Sequence, residues 1–183
     1  MELFILGVLL VFAKVNLHFF DTGVFFYSTN IVGYLLIYLV FKKIGYASEN
    51  NKKLQLLVLL MMIHSVVFTL LNGSGHSVQT IAMSTASGTL TALTVLLIAA
   101  IGNVMIFYII HQFILSVRNN QSGDAFHSNI ASLEIFAALL FALAIVTGAL
   151  FFTIASAASI SMILLLAAEI VFIVNFSAKA QSV

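Results

Sequence analysis

The stretch IASLEIFAALLFALAIVTGALFFTIASAASISMILLLAAEIVFIVNF (residues 130–176) carries one acid near each end and no basic residue. A membrane-spanning helix needs about 20 predominantly apolar residues. This run is too long for one span and fits two. The natural break is TIASAAS (153–159), where small polar residues replace Leu and Phe. A helical hairpin in hydrocarbon is the fold this stretch predicts.

The rest of the chain agrees with that solvent. Of 183 residues, 62% are hydrophobic and 7% charged, with a mean hydropathy of +1.19. A soluble domain carries about 25% charged residues, so these side chains could not cover a water-facing surface. The expected class is an all-α polytopic transmembrane bundle, forming one domain over 1–183 in a lipid bilayer. The net charge of +1 gives no footing for nucleic acid. Cys is absent, which removes disulfides and thiolate chemistry. Pro is absent too, so no helix is kinked by a missing backbone donor. With no Trp, an interfacial aromatic belt must come from Tyr and Phe.

Applying the length rule along the chain gives six spans, at about 3–20, 24–41, 54–72, 88–115, 131–152 and 159–177. The segment before the fourth, NGSGHSVQTIAMSTASG, is too polar to span and reads as an outer loop with an interfacial helix. Six of the seven Lys and Arg fall in 42–53, 117–130 and the C-terminal tail. The positive-inside rule then places both termini in the cytoplasm, with no basic residue in an outer loop. Residues 1–20 read as a permanent helix, because Lys14 interrupts the apolar run and no small-residue cleavage site follows. Three spans per half give opposite topologies, as in inverted-repeat transporters, but 1–72 and 88–177 share no sequence pattern.

KVNLHFFDTGVFFYSTNIVGYLLIYLVFKKIG (14–45) resembles the start of small, uncharacterised multi-span membrane proteins of low-GC Gram-positive bacteria. Their second helix follows an Asp-containing turn and centres on a Gly-Tyr pair, matched here by Gly33 and Tyr34. Asn30 stands where the pattern has an acid, and the Pro of the pattern is missing. The resemblance implies a bacterial cell membrane and no particular activity.

Polar groups inside apolar spans are the candidate site residues, because each is costly there unless paired or hydrated. On a continuous helix, His18 lies about 40° and Asp21 about −20° from Lys14, so the three share a face. Lys14 either snorkels to headgroups, pairs between helices, or serves a relay. Glu169 sits mid-span, and an unpaired ionised carboxyl at that depth costs on the order of 2.5–3.5 kcal/mol. The expectation is that Lys14 reaches Glu169, with His18 and Asp21 continuing the seam outward.

His64 and Asn103 are the remaining members of this predicted polar seam. His64 and His111 differ in depth by roughly 10 Å or more, which denies a haem its paired axial ligands. His76 and His127 lie in loops without ligand spacing, so no metal or cofactor is expected.

Other polar residues have structural readings. Glu134 reads as a first-turn acid favoured by a helix dipole. Ser84, Thr85, Ser87, Thr89, Thr91 and Thr94 mark either close helix packing, with Gly88 and Ala92, or the lining of a path. Asn30, Tyr34 and Tyr38 form a stripe on the second span, where Gly33 admits a close neighbour.

No Walker loop, HExxH or GxSxG motif occurs, and nothing argues for an enzyme. Two functions remain. One is a small transporter or channel subunit for an ion or small solute. The other is a non-catalytic partner, such as an accessory, immunity or assembly factor, in a homo-oligomer or larger membrane complex.

Overall fold

The computed structural model describes residues 2–13, 23–44, 49–75, 81, 84–120 and 124–180. Among these residues six helices follow in order: α1 (Glu2–Phe12), α2 (Val24–Ile44), α3 (Glu49–Gly73), α4 (Ala86–Asn120), α5 (Asp124–Thr153) and α6 (Ala155–Ala180). In hydrocarbon every backbone donor and acceptor must be satisfied within the segment, and an uninterrupted helix does this without help from neighbours. Helices α2 to α6 supply five spans long and apolar enough to cross a membrane. Their outward faces are apolar, with Leu60 52%, Leu139 62% and Ile163 55% exposed. Such a surface suits acyl chains and would aggregate in water. The chain is an all-α, multi-pass membrane protein.

Each helix lies antiparallel to its neighbour in the chain. On the α5–α6 hairpin, Thr147 and Ser161 share a hydrogen bond of 2.5 Å, the rings of Phe136 and Phe172 meet at 5.8 Å, and Lys179 donates to Ser132. These contacts keep one register along the whole pair. The break is a single residue, Ile154, whose N–H still bonds the Leu150 carbonyl at 2.7 Å. It falls inside the small-residue segment 153–159.

At the opposite end of the bundle, Asn51 and Gln55 of α3 each donate a side-chain N–H to the Phe41 carbonyl at 3.2 Å. They donate to a backbone acceptor in the last turn of α2, where helical carbonyls run short of partners within their own helix. Beyond α3, Gly75 turns the chain with φ +78°, a conformation that L side chains rarely adopt.

The helices close into a ring, with α1–α2–α3 and α4–α5–α6 tightly packed and sparser seams at α3–α4 and α1–α6. Phe4 ties the ring together. Its ring lies 4.1 Å from Phe113 of α4, 5.6 Å from Phe176 of α6 and 6.2 Å from Phe41 of α2. This aromatic cluster marks one level near the end that carries Lys42, Lys43, Arg118 and Lys179.

Helix α1 is described only to Phe12, and Ala13 is already outside it. The shared face expected for Lys14, His18 and Asp21 presumes an unbroken helix through 21; the three lie outside the described residues. What fixes α1 is contact between backbones. A Cβ on Gly33 would lie 2.7 Å from the Gly7 carbonyl oxygen, and one on Gly7 would lie 2.8 Å from that of Gly33. Gly33 does admit a close neighbour, and the neighbour is α1.

Two local expectations change. Helix α5 starts at Asp124, so Glu134 lies nearly three turns in, too deep for a dipole effect confined to the first turn. It accepts instead from Arg118 Nη1 at 2.5 Å, joining α4 to α5. The Ser/Thr run of α4 bonds back to its own helix: Thr91 to Ser87 O at 2.9 Å and Thr94 to Leu90 O at 2.8 Å. Both threonines are exposed, so they line no interior path, and only Ala92 of that segment is buried.

Candidate functional site

Polar side chains from three helices meet inside the ring. Glu169 of α6, Asn103 of α4, and Asn30 and Tyr34 of α2 line one small cavity, closed on other sides by Phe12 of α1 and Phe107 of α4. Helical rise fixes its depth. Glu169 and Tyr34 lie about 10 Å, and Asn103 and Asn30 about 15–16 Å, from the level of the Phe4 cluster. In a hydrocarbon core about 30 Å thick, that is near the midplane.

Burial there is nearly complete. Glu169 is 1% exposed and Asn30 6%, and both carboxylate oxygens of Glu169 are sealed from the outside. Among the described residues nothing donates to Asn30 Oδ1. An acceptor left so in a low-dielectric interior costs about 1–3 kcal/mol. The cavity offers about 10 Å³ to the centre of a water-sized guest, close to the minimum for a single water. What converges on it is rich in oxygen acceptors: a carboxylate, amide oxygens and a phenol that can both donate and accept.

The helix-packing chemistry explains the convergence. Tyr34 follows Asn30 by four residues, so both sit on one face of α2, the face that Gly33 lets α1 approach. Phe12 stacks on Phe107 at 5.4 Å, which holds α1 against the α4 turn carrying Asn103. Beside Glu169 the small Ala168 packs against the core, and small residues on a transmembrane helix let neighbours come close.

Of the sequence-predicted residues, Glu169 and Asn103 come together here. Lys14, His18 and Asp21 lie outside the described residues; Lys14 follows Phe12, which lines the cavity, by two positions. His64 is placed differently. Its ring from α3 lies over Gly102 of α4, where a Cβ would come within 2.5 Å of Nε2. There Nε2–H donates to the Ile98 carbonyl at 3.2 Å, and the ring stacks on Phe68 at 4.5 Å. Gly102 itself borders the cavity, so His64 stands behind the wall and not in the seam. Asn30 and Tyr34 were visible in the sequence as a polar stripe, but only the fold shows that the stripe faces Glu169.

A second, larger hollow of about 420 Å³ lies between α3, α4 and α5, lined by apolar side chains and Tyr108. It lacks converging polar groups. Among the described residues no group of three or more His, Asp or Glu could hold a metal ion.

Comparison with known protein families, with curated proteins and with solved structures finds no match for this chain. What the fold and site define is a class: a multi-pass membrane bundle, of six helices among the described residues, with a buried carboxyl in a water-sized polar cavity.

Proposed function

We propose that the protein is a small transporter or channel subunit of the bacterial cell membrane, with both termini cytoplasmic, moving an ion or small solute past Glu169. The observation that carries this reading is the cavity formed by Glu169, Asn103, Asn30 and Tyr34 at mid-depth. Intramembrane acids facing a bundle interior are expensive to keep and mark ion paths and relays in many membrane proteins. A purely structural core would be better served by apolar side chains of similar volume. The gathering of Lys and Arg at one end supports the orientation, and the resemblance of 14–45 to Gram-positive membrane proteins supports the location.

The test is flux through the purified protein in liposomes, under imposed gradients of ions and of small labelled solutes. Movement that falls to the level of empty liposomes in Glu169→Gln supports the proposal. No movement of any species under any gradient would refute it. The second reading, a non-catalytic partner subunit, needs no path past Glu169 and gives the buried carboxyl a structural role. It predicts copurification with a larger complex in mild detergent.

A further inference from the structure

The size and chemistry of the cavity narrow the cargo. We infer that it holds a single water, bound to Asn30 Oδ1, and that this water passes protons to and from Glu169, so that the species moved is the proton. The inference rests on the transport reading above and names its substrate.

Three observations converge. The first is volume: room of about 10 Å³ accepts one water and excludes an amino acid, a sugar or any drug-sized solute, whose pockets measure roughly 300–1,000 Å³. The second is Asn30. Its side chain is 6% exposed, and its Oδ1 has no donor among the described residues. A buried water satisfies such an acceptor, provided that two to four polar partners surround it. Asn30, Tyr34, Asn103 and Glu169 supply that number from three helices. The third is Glu169 itself, a carboxyl 1% exposed that lines the cavity and can gain one proton and return it.

The step balances without electrons. A proton arriving through water on one side adds to a Glu169 oxygen, leaving a neutral acid. Transfer through the bound water to the other side then restores the carboxylate. Other titratable groups near this path are Tyr34 on α2, which lines the cavity, and His64 on α3, behind Gly102. The described parts of α1 and α4 contribute no charged group to the cavity, and Lys14, His18 and Asp21 lie outside the described residues.

Liposomes containing the full chain and an internal pH-sensitive dye test this under an imposed proton gradient, with a potassium ionophore clamping the potential. Wild type should move protons, Glu169→Gln should fall to the rate of empty liposomes, and Asn30→Ser, which keeps an oxygen acceptor, should carry more flux than Asn30→Leu. Asn30→Leu is the decisive variant. It displaces the water and leaves no acceptor in its place, so it should lose proton flux, while circular dichroism and unfolding in micelles show that the variant is folded. Proton flux unchanged in Asn30→Leu would overturn the water relay. Movement of an organic solute or alkali ion without protons would overturn the proton as cargo and leave the transport reading intact. Absence of all movement would overturn both.

Discussion

Gly102→Ala probes the α3–α4 seam, one of the two sparser seams that close the ring. The added methyl would overlap the His64 ring, coming within 2.5 Å of Nε2 and 3.0 Å of Nδ1. The ring must leave, losing its bond to the Ile98 carbonyl and its stack on Phe68. Overpacking of this kind costs about 1–3 kcal/mol, and an interhelical hydrogen bond in a membrane contributes about 0.6 kcal/mol on average. Against this, Ala gains up to about 1 kcal/mol over Gly in a helix interior. The net prediction is a loss of about 1–3 kcal/mol in wild type. In a His64→Ala background the obstruction is gone and only the propensity gain remains, so the same substitution should be neutral or stabilising. Reversible denaturant unfolding in micelles, followed by circular dichroism, measures all four corners of the cycle. Equal losses from Gly102→Ala in both backgrounds would show that His64 does not occupy this notch.

Gly33→Ala should cost more than Gly102→Ala, because its Cβ meets a backbone carbonyl and Val11 at 2.7 Å instead of a movable ring; the same unfolding assay reads it. Thr147→Val removes a buried α5–α6 hydrogen bond and should cost about 1 kcal/mol, no more than about 1.7, whereas a larger loss would mean the pair does more than join two helices. Lys14→Met and Glu169→Gln should each destabilise the fold, and the double variant should recover part of the loss if the two groups interact. Additive losses in that cycle would remove Lys14 from the neighbourhood of Glu169.

Much of the architecture is legible in residue type alone. Hydrocarbon leaves the backbone almost no alternative to a helix, so long apolar runs announce α2 to α6. Helix ends are harder, because outside the bilayer a helix is limited by local contacts and not by hydropathy. The polar segment RNNQSGDAFHSN reads as a loop, yet α4 continues to Asn120 and α5 begins at Asp124. The Arg118–Glu134 pair, 16 residues apart in the chain, ties the two helices together there.

The candidate site divides in the same way. Glu169 and Asn103 stand out because each is a polar residue in an apolar span. Asn30 meeting Glu169 depends on how α2 and α6 are rotated within the ring, which no local pattern encodes. The position of His64 depends on an absence, the missing side chain of Gly102 on another helix. The Ser/Thr run of α4 shows the converse: a conspicuous polar pattern that satisfies itself on its own backbone and faces outward.

The most direct test of a functional interior uses the absence of native cysteine. Asn30→Cys, Asn103→Cys and, as a lipid-facing control, Leu164→Cys each introduce a single thiol, which can be exposed in native membranes to a membrane-impermeant, thiolate-selective reagent. A path past Glu169 must hydrate positions 30 and 103 during its working cycle, so both should react from at least one side while position 164 stays inert. Positions 30 and 103 as unreactive as 164, from both sides and in a gradient that drives flux, would contradict a path through this cavity.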